Sequence, residues 1–168
     1  MTTTAPPDEV RIRPAGVPGD LGWVVMEHGR MYADEYGWDI TFEALVAQIM
    51  ADFGRDPQRA GQAGWIADVN GERAGCIFCV PGDEPGTAQL RTLLVTPAAR
   101  GRGVGGQLIE HCADFARAAG FRRLTLWTND VLVSARRLYE EAGFTLTEED
   151  RHHSFGQDLV GQRWSLRL

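Results

Sequence analysis

Apolar positions along this chain switch between a period of two and a period of about 3.6, and each switch marks a new element. Val10 to Pro14 alternates apolar with basic residues and predicts a short first strand. Leu21, Val24, Val25, His28, Met31 and Tyr32 then share one helical face, with Asp20 as the expected N-cap and Gly37 as the stop. A second helix is expected from the cap Thr41, because Phe42, Leu45, Val46, Ile49, Met50 and Phe53 keep strict helical spacing. Gly54 to Gly64 is polar and predicts a loop. Trp65 to Val69 and Arg73 to Val80 flank Asn70-Gly71, the strongest short hairpin signal. After a loop at Pro81 to Gly86, Thr87 to Val95 predicts a central strand. The helical spacing returns in Val104, Leu108, Ile109, Cys112, Phe115 and Ala116, for a helix from Val104 to Ala119 that ends at Gly120. Arg123 to Thr128 predicts a strand, and Leu132 to Ala142 a short helix closed by Gly143. Phe144 to Glu149 and Val160 to Leu168 predict two last strands around a loop at Asp150 to Gly156. The order is β-α-α-β-β-β-α-β-α-β-β. Met1 to Glu9, polar and with two prolines, is expected to be a flexible tail on a single domain spanning 1–168.

Composition narrows the class. A chain of 168 residues with 43% apolar and 24% charged residues can bury a proper core. No apolar run approaches the ~20 residues of a membrane span, and the N-terminus has no signal-peptide core. A cytoplasmic location and no membrane partner are therefore expected. A net charge of −6 disfavours nucleic acid as a partner. Cys76-Ile77-Phe78-Cys79 falls within a predicted strand, where residues three apart point to opposite faces. A zinc site needs more ligands than this, and Cys112 sits alone on a helix face, so the three cysteines read as reduced packing residues with no metal.

The chemistry concentrates where the central strand hands over to the helix at Val104. The run Pro97-Ala98-Ala99-Arg100-Gly101-Arg102-Gly103-Val104-Gly105-Gly106 puts glycines and two arginines at a helix N-terminus. Such a terminus offers unpaired N–H groups and a positive dipole end, which suit an oxygen anion. The lysine-containing P-loop pattern is absent. Gly101-x-Gly103-x-x-Gly106 fits a dinucleotide-binding fingerprint, and Asp130 lies roughly where the ribose-binding acid belongs. Against that reading, Pro97 to Arg100 intervene between strand and first glycine, and too few residues follow for a doubly wound sheet.

The segment Arg100-Gly101-Arg102-Gly103-Val104-Gly105 resembles the acetyl-CoA signature of the GNAT acyltransferases, Gln/Arg-x-x-Gly-x-Gly/Ala. Leu138-Tyr139-Glu140-Glu141-Ala142-Gly143-Phe144 resembles that family's Tyr-x-x-x-Gly-Phe, and the pair spans about Thr87 to Leu146. The resemblance implies an α/β (α+β) GNAT fold: a mixed, twisted central sheet of about seven strands with helices on both faces. It implies an N-acyltransferase that moves an acetyl group from acetyl-CoA to a primary amine of a small molecule or peptide. A non-catalytic acyl-CoA-binding sensor stays open beside it, as does the nicotinamide-dinucleotide reading. By resemblance, the donor's pyrophosphate lies on Gly101, Gly103, Val104, Gly105 and Gly106 with Arg100 and Arg102 near it. The family's strand before this loop bulges and splays, so the pantetheine arm pairs with backbone of Leu93, Leu94 and Val95. A main-chain N–H near Leu94 is placed to polarise the thioester carbonyl. Tyr139 matches the tyrosine that protonates the departing CoA sulfur; packing under the last helix is its plainer reading.

Two positions depart from the family. Leu132 stands where an asparagine often contacts the cofactor arm, and Trp127 stands where some members carry a glutamate base. Gln89, Arg91 and Thr92 on the central strand offer no carboxylate either, so no base is named. The run from His28 to Asp39 is rich in aromatic and acidic groups. His28, Tyr32, Glu35, Tyr36 and Trp38, with Trp127, are the candidate acceptor wall, where a cationic amine suits Glu35, Tyr36 and Trp38. The equal alternative is a helix end whose aromatics are core and whose acids are solvated. This run, with Leu126-Trp127-Thr128, resembles the acetyltransferase half of bacterial MarR–GNAT fusion proteins. His152-His153 is a further candidate pair, with a solvated loop as the plainer reading. A homodimer is left open.

Overall fold

The computed structural model describes residues 8–168, so most of the expected tail, residues 1–7, lies outside the described residues. Seven strands form one mixed sheet in the order β1-β2-β3-β4-β5-β7-β6. They are β1 Val10–Pro14, β2 Ala63–Val69, β3 Glu72–Pro81, β4 Thr87–Val95, β5 Arg123–Asn129, β6 Thr145–Ser154 and β7 Gln157–Arg167. The helices are α1 Asp20–Tyr36, α2 Ile40–Arg55, α3 Val104–Ala118 and α4 Val133–Glu141. The element order is the one the apolar periods predict.

The sheet separates two apolar layers. On one face Leu108, Ile109 and Cys112 of α3 pack with Cys79, Leu90, Leu124 and Trp164. On the other, Val24 of α1 and Val46, Met50 and Phe53 of α2 pack with Ile66, Cys76, Phe78 and Leu94. The two cysteines of β3 thus enter opposite layers, as strand alternation requires, and all three cysteines are free and buried.

Both expected caps lie further N-terminal, by one residue at α1 and by two at α2. Gly19, with φ 97°, caps α1, and the Asp20 side chain is fully buried instead. Its carboxylate accepts from the Gly16 and Val17 N–H groups at 3.0 and 2.9 Å, from both Arg13 terminal nitrogens at 2.9 Å, and from Arg73 Nε at 2.9 Å. One side chain therefore ties β1, the next turn, α1 and β3 together. Asp39, not Thr41, caps α2, accepting from the Thr41 N–H at 3.0 Å.

The expected loop at Asp150 to Gly156 is mostly strand: β6 runs to Ser154 and turns at Phe155-Gly156. That turn has φ 57° and 77°, and Asn70-Gly71 has 52° and 83°, two backbone positions with positive φ in each hairpin. The sequence of β6 hides its nature because it is an edge strand paired only to β7 and carries polar residues on most positions.

The feature that positions the site is a gap in the sheet's middle. β4 and β5 pair in parallel only from Thr87↔Arg123 to Gln89↔Thr125 and then part. Between the pairs Phe78↔Arg91 and Cys76↔Leu94, β4 carries one extra residue, and Thr92 there has φ 53°.

Candidate active site

The backbone past β4 is built for close approach. A short 3-10 turn, Pro97–Ala99, follows the strand and delivers the glycines. Gly101 and Gly103 have φ of 78° and 74°, and Gly103 is the left-handed cap of α3. Among the described residues, no backbone carbonyl accepts from the N–H groups of residues 101–106; the first such bond is Gln107 N–H to Gly103. Six backbone donors at and just before one helix end are thus without a backbone acceptor. Gly105 serves packing: a Cβ there would lie 2.6 Å from Leu138 Cδ1, so its hydrogen lets α4 lie against α3. Gly106 faces open space.

The two arginines beside this loop are already paired. Arg100 donates to Glu35 at 2.6 Å and to the Met31 sulfur at 3.5 Å, and Arg102 pairs with Asp8. Thr92 Oγ1, on the bulge, is buried without a partner. The parted strands, the orphan hydroxyl and the free N–H cluster fit an extended donor that is polar at one end and anionic at the other.

Beside the gap lies a cavity of about 310 Å³. Its walls come from far-apart segments: His28 and Tyr32 of α1, Trp38, Phe42, Leu45 and Ile49 around α2, Gln89 to Leu93 of β4, Trp127 to Asn129 of β5, Leu132 and Tyr139 at α4, and His152, Ser154 and Phe155 at the β6 turn. No aspartate or glutamate is among them. His28, Tyr32, Trp38 and Trp127 from the expected acceptor wall do meet here. Glu35 and Tyr36 do not line the cavity: α1 turns Glu35 outward, where Arg100 takes its carboxylate. Tyr32, Trp38, Phe42 and Phe155 pack ring against ring, with centroids 4.6 to 5.1 Å apart between neighbours. They are core and cavity wall at once.

Burial sets the protonation states. It pushes the Tyr139 phenol well above its usual range, with Cys112 adding to the effect, so the phenol keeps its proton at neutral pH. The same cause raises Tyr32. Burial lowers His28 to about 4 although its Nδ1 lies 2.7 Å from the Val24 carbonyl; its Nε2 is buried without a partner.

His152 sits between two polar neighbours, Nδ1 2.8 Å from Ser154 Oγ and Nε2 2.8 Å from Asn129 Oδ1. His153 points the other way and bonds Asp158 at 2.8 Å. The period of two along β6 is the signal that separates them. Trp127 lines the cavity while remaining exposed, with Arg163 5.9 Å from its ring centroid. A Cβ on Gly161 would come within 2.3 Å of that ring, so β7 keeps a glycine where the indole crosses it. Among the described residues, no group of three or more His, Cys, Asp or Glu gathers as a metal site.

The acetyltransferase (GNAT) family model matches residues 26–144. An uncharacterized N-acetyltransferase of Schizosaccharomyces pombe is 28% identical over 88% of this chain and 90% of its own length. YjgM, an N-acetyltransferase of Escherichia coli, is 35% identical, but that match spans about half of each chain, 50% and 52%. Among solved structures, yncA of Salmonella typhimurium, determined with acetyl-CoA as its cofactor, superposes with a TM-score of 0.76 at 20% identity over 95% and 94% of the two chains. The chain belongs to the acetyltransferase (GNAT) family. Its enzyme class is that of the acetyl-CoA-dependent N-acetyltransferases.

Proposed function

We propose that this protein transfers the acetyl group of acetyl-CoA to a primary amine of a small molecule or peptide by direct attack on the thioester, and that it acts in the cytoplasm. The observation that carries the reading is Tyr139: a buried, protonated phenol on α4 that faces the same cavity as the bulged end of β4. The N–H groups of residues 101–106 hold the pyrophosphate, and the free backbone edge of Leu93, Leu94 and Val95 holds the pantetheine arm. Arg100 reaches the donor only by leaving Glu35, and Arg102 by leaving Asp8.

Catalysis needs a neutral amine at the start and a protonated thiol at the end. Tyr139 donates its proton to the departing sulfur. His152 takes the proton the amine loses. Its Nε2–H donates to Asn129 Oδ1, which leaves the Nδ1 lone pair facing the Ser154 hydroxyl. Ser154 accepts the amine's proton and passes its own to Nδ1. Low-basicity His28 stays neutral and serves as an acceptor wall.

Calorimetric titration tests the donor. Acetyl-CoA binds and NAD does not; tight NAD binding without acetyl-CoA binding overturns the reading. A panel of primary amines with thiol detection then separates an enzyme, which releases CoA, from a sensor, which binds acetyl-CoA and releases none.

A further inference from the structure

The cavity wall carries an arginine, Arg91, that has no hydrogen-bonded or ion-paired partner among the described residues. Arg91 lies in the β4 wall between Gln89 and the bulge, on the side of the sheet that α2 covers. It is half-buried. The acids that influence it, Asp52 and Asp83, act on it only through space. Asp52 is engaged elsewhere, accepting from Gln48 at 3.0 Å and Arg55 at 3.2 Å. Burial holds the Arg91 guanidinium below its ordinary value despite those acids.

Arg13 and Arg73 are treated differently: they share the buried Asp20 carboxylate. Partly desolvating a guanidinium without a counter-charge costs free energy, and a carboxylate that accepts from it in two places repays that cost. The stretch of wall that Trp38 and α2 contribute is apolar: Trp38, Phe42, Leu45 and Ile49 face the same space. At about 310 Å³ the cavity is at the small end of the roughly 300–1,000 Å³ of ligand pockets, a size for an amino acid rather than a longer chain.

We infer that the acceptor is a free amino acid with an apolar or aromatic side chain, its carboxylate bound by Arg91 and its side chain against the aromatic wall. The inference rests on the proposed acetyl transfer and adds the acceptor's class. It also reverses the charge expected at this site: the fixed charge in the cavity is positive, and the amine reacts as the neutral base.

The test uses matched pairs that differ only in the carboxylate: phenylalanine against 2-phenylethylamine, and leucine against 3-methylbutylamine. CoA release is measured with each, and binding of each to CoA-saturated protein is measured by calorimetry. The carboxylate-bearing member of each pair should win by roughly 10- to 100-fold in kcat/KM, the size of a charge-assisted contact. Arg91→Gln should close most of that gap, and Arg91→Lys should keep part of it; thermal melts of both variants confirm folding. Equal or better use of the decarboxylated amines, or a gap that survives Arg91→Gln, overturns the inference and leaves acetyl transfer standing. If no member releases CoA but phenylalanine binds in an Arg91-dependent way, the carboxylate site stands and acetyl transfer falls. If neither turns over nor binds, both fall.

Discussion

The glycine loop and the neighbouring cavity share a wall at β4 and are built in opposite ways. The loop is one contiguous stretch whose unpaired groups are backbone N–H donors at a helix end. Its side chains are hydrogens or are paired away, as Arg100 is with Glu35. The cavity has almost no contiguous stretch. Two helices, two central strands, α4 and an edge hairpin each bring a few side chains to it. A local backbone site depends on a handful of φ values. An assembled side-chain site depends on every element that carries a wall. Donor binding should therefore survive most distant changes, and acceptor chemistry should not.

Tyr139, which faces the cavity from the helix packed on the loop, gives the largest expected effect. Tyr139→Phe keeps the ring and its packing but removes the proton. Turnover should fall by roughly 10²–10⁴, the usual share of general acid catalysis, with acetyl-CoA affinity and thermal midpoint near those of the parent. Wild-type turnover in this variant, with chemistry shown to limit the rate, would make Tyr139 a packing residue.

Asp20 bonds no residue of the loop but anchors α1, which carries His28 and Tyr32 into the cavity. Asp20→Asn breaks a buried, multiply bonded charge cluster and should cost about 3–5 kcal/mol in a urea titration. Burial alone raises the pKa of this carboxylate, but the hydrogen bonds from Arg13, the Gly16 N–H and Arg73 outweigh it and hold the group well below the usual range. A depressed carboxylate contributes stability above the unfolded pKa of about 3.9 and loses it as pH falls below that value. The wild-type melting temperature should thus drop steeply below about pH 4, and this limb should flatten in Asp20→Asn.

Within the loop, adjacent glycines should respond in opposite senses. Gly105→Val forces a side chain into Leu138 and should destabilise the fold by about 1–3 kcal/mol. Gly106→Ala meets nothing, so helix propensity should raise stability by about 0.5–1 kcal/mol while the methyl group obstructs the free N–H donors and weakens acetyl-CoA binding. Denaturant midpoints and calorimetry read the two effects apart. Unchanged acetyl-CoA affinity in Gly106→Ala would move the pyrophosphate off this helix end.

The smallest effect tests the boundary between the regions. Glu35→Gln frees Arg100 from a partly exposed pair worth at most about 1 kcal/mol. Acetyl-CoA affinity should rise a few-fold, with the acceptor KM unchanged. A raised acceptor KM would return Glu35 to the acceptor site.

The same contrast explains what the amino-acid sequence discloses. The element order is readable because core positions such as Val46, Met50 and Phe53 keep one period over a whole helix. The glycine loop is readable because its chemistry is contiguous, although the role of Gly105 against α4 is not visible until the helices pack. The cavity is readable only in part. His28, Tyr32, Trp38 and Trp127 stand out by type, but the helical phase that sends Glu35 to Arg100 depends on where that arginine lands. Asn129, His152 and Ser154 converge through strand register across β5, β7 and β6, a long-range property with no short signature in the chain. Arg91 reads as an ordinary strand arginine until it is seen that no aspartate or glutamate among the described residues shares the cavity wall with it.

The account stands most directly on a single-turnover experiment with isotopically labelled acetyl-CoA and a saturating amine, phenylalanine first. It predicts one labelled N-acetyl product for each CoA thiol released. Thiol release without labelled amine would describe a hydrolase, and bound acetyl-CoA that releases no thiol with any amine would describe a sensor; either result contradicts acetyl transfer in this cavity.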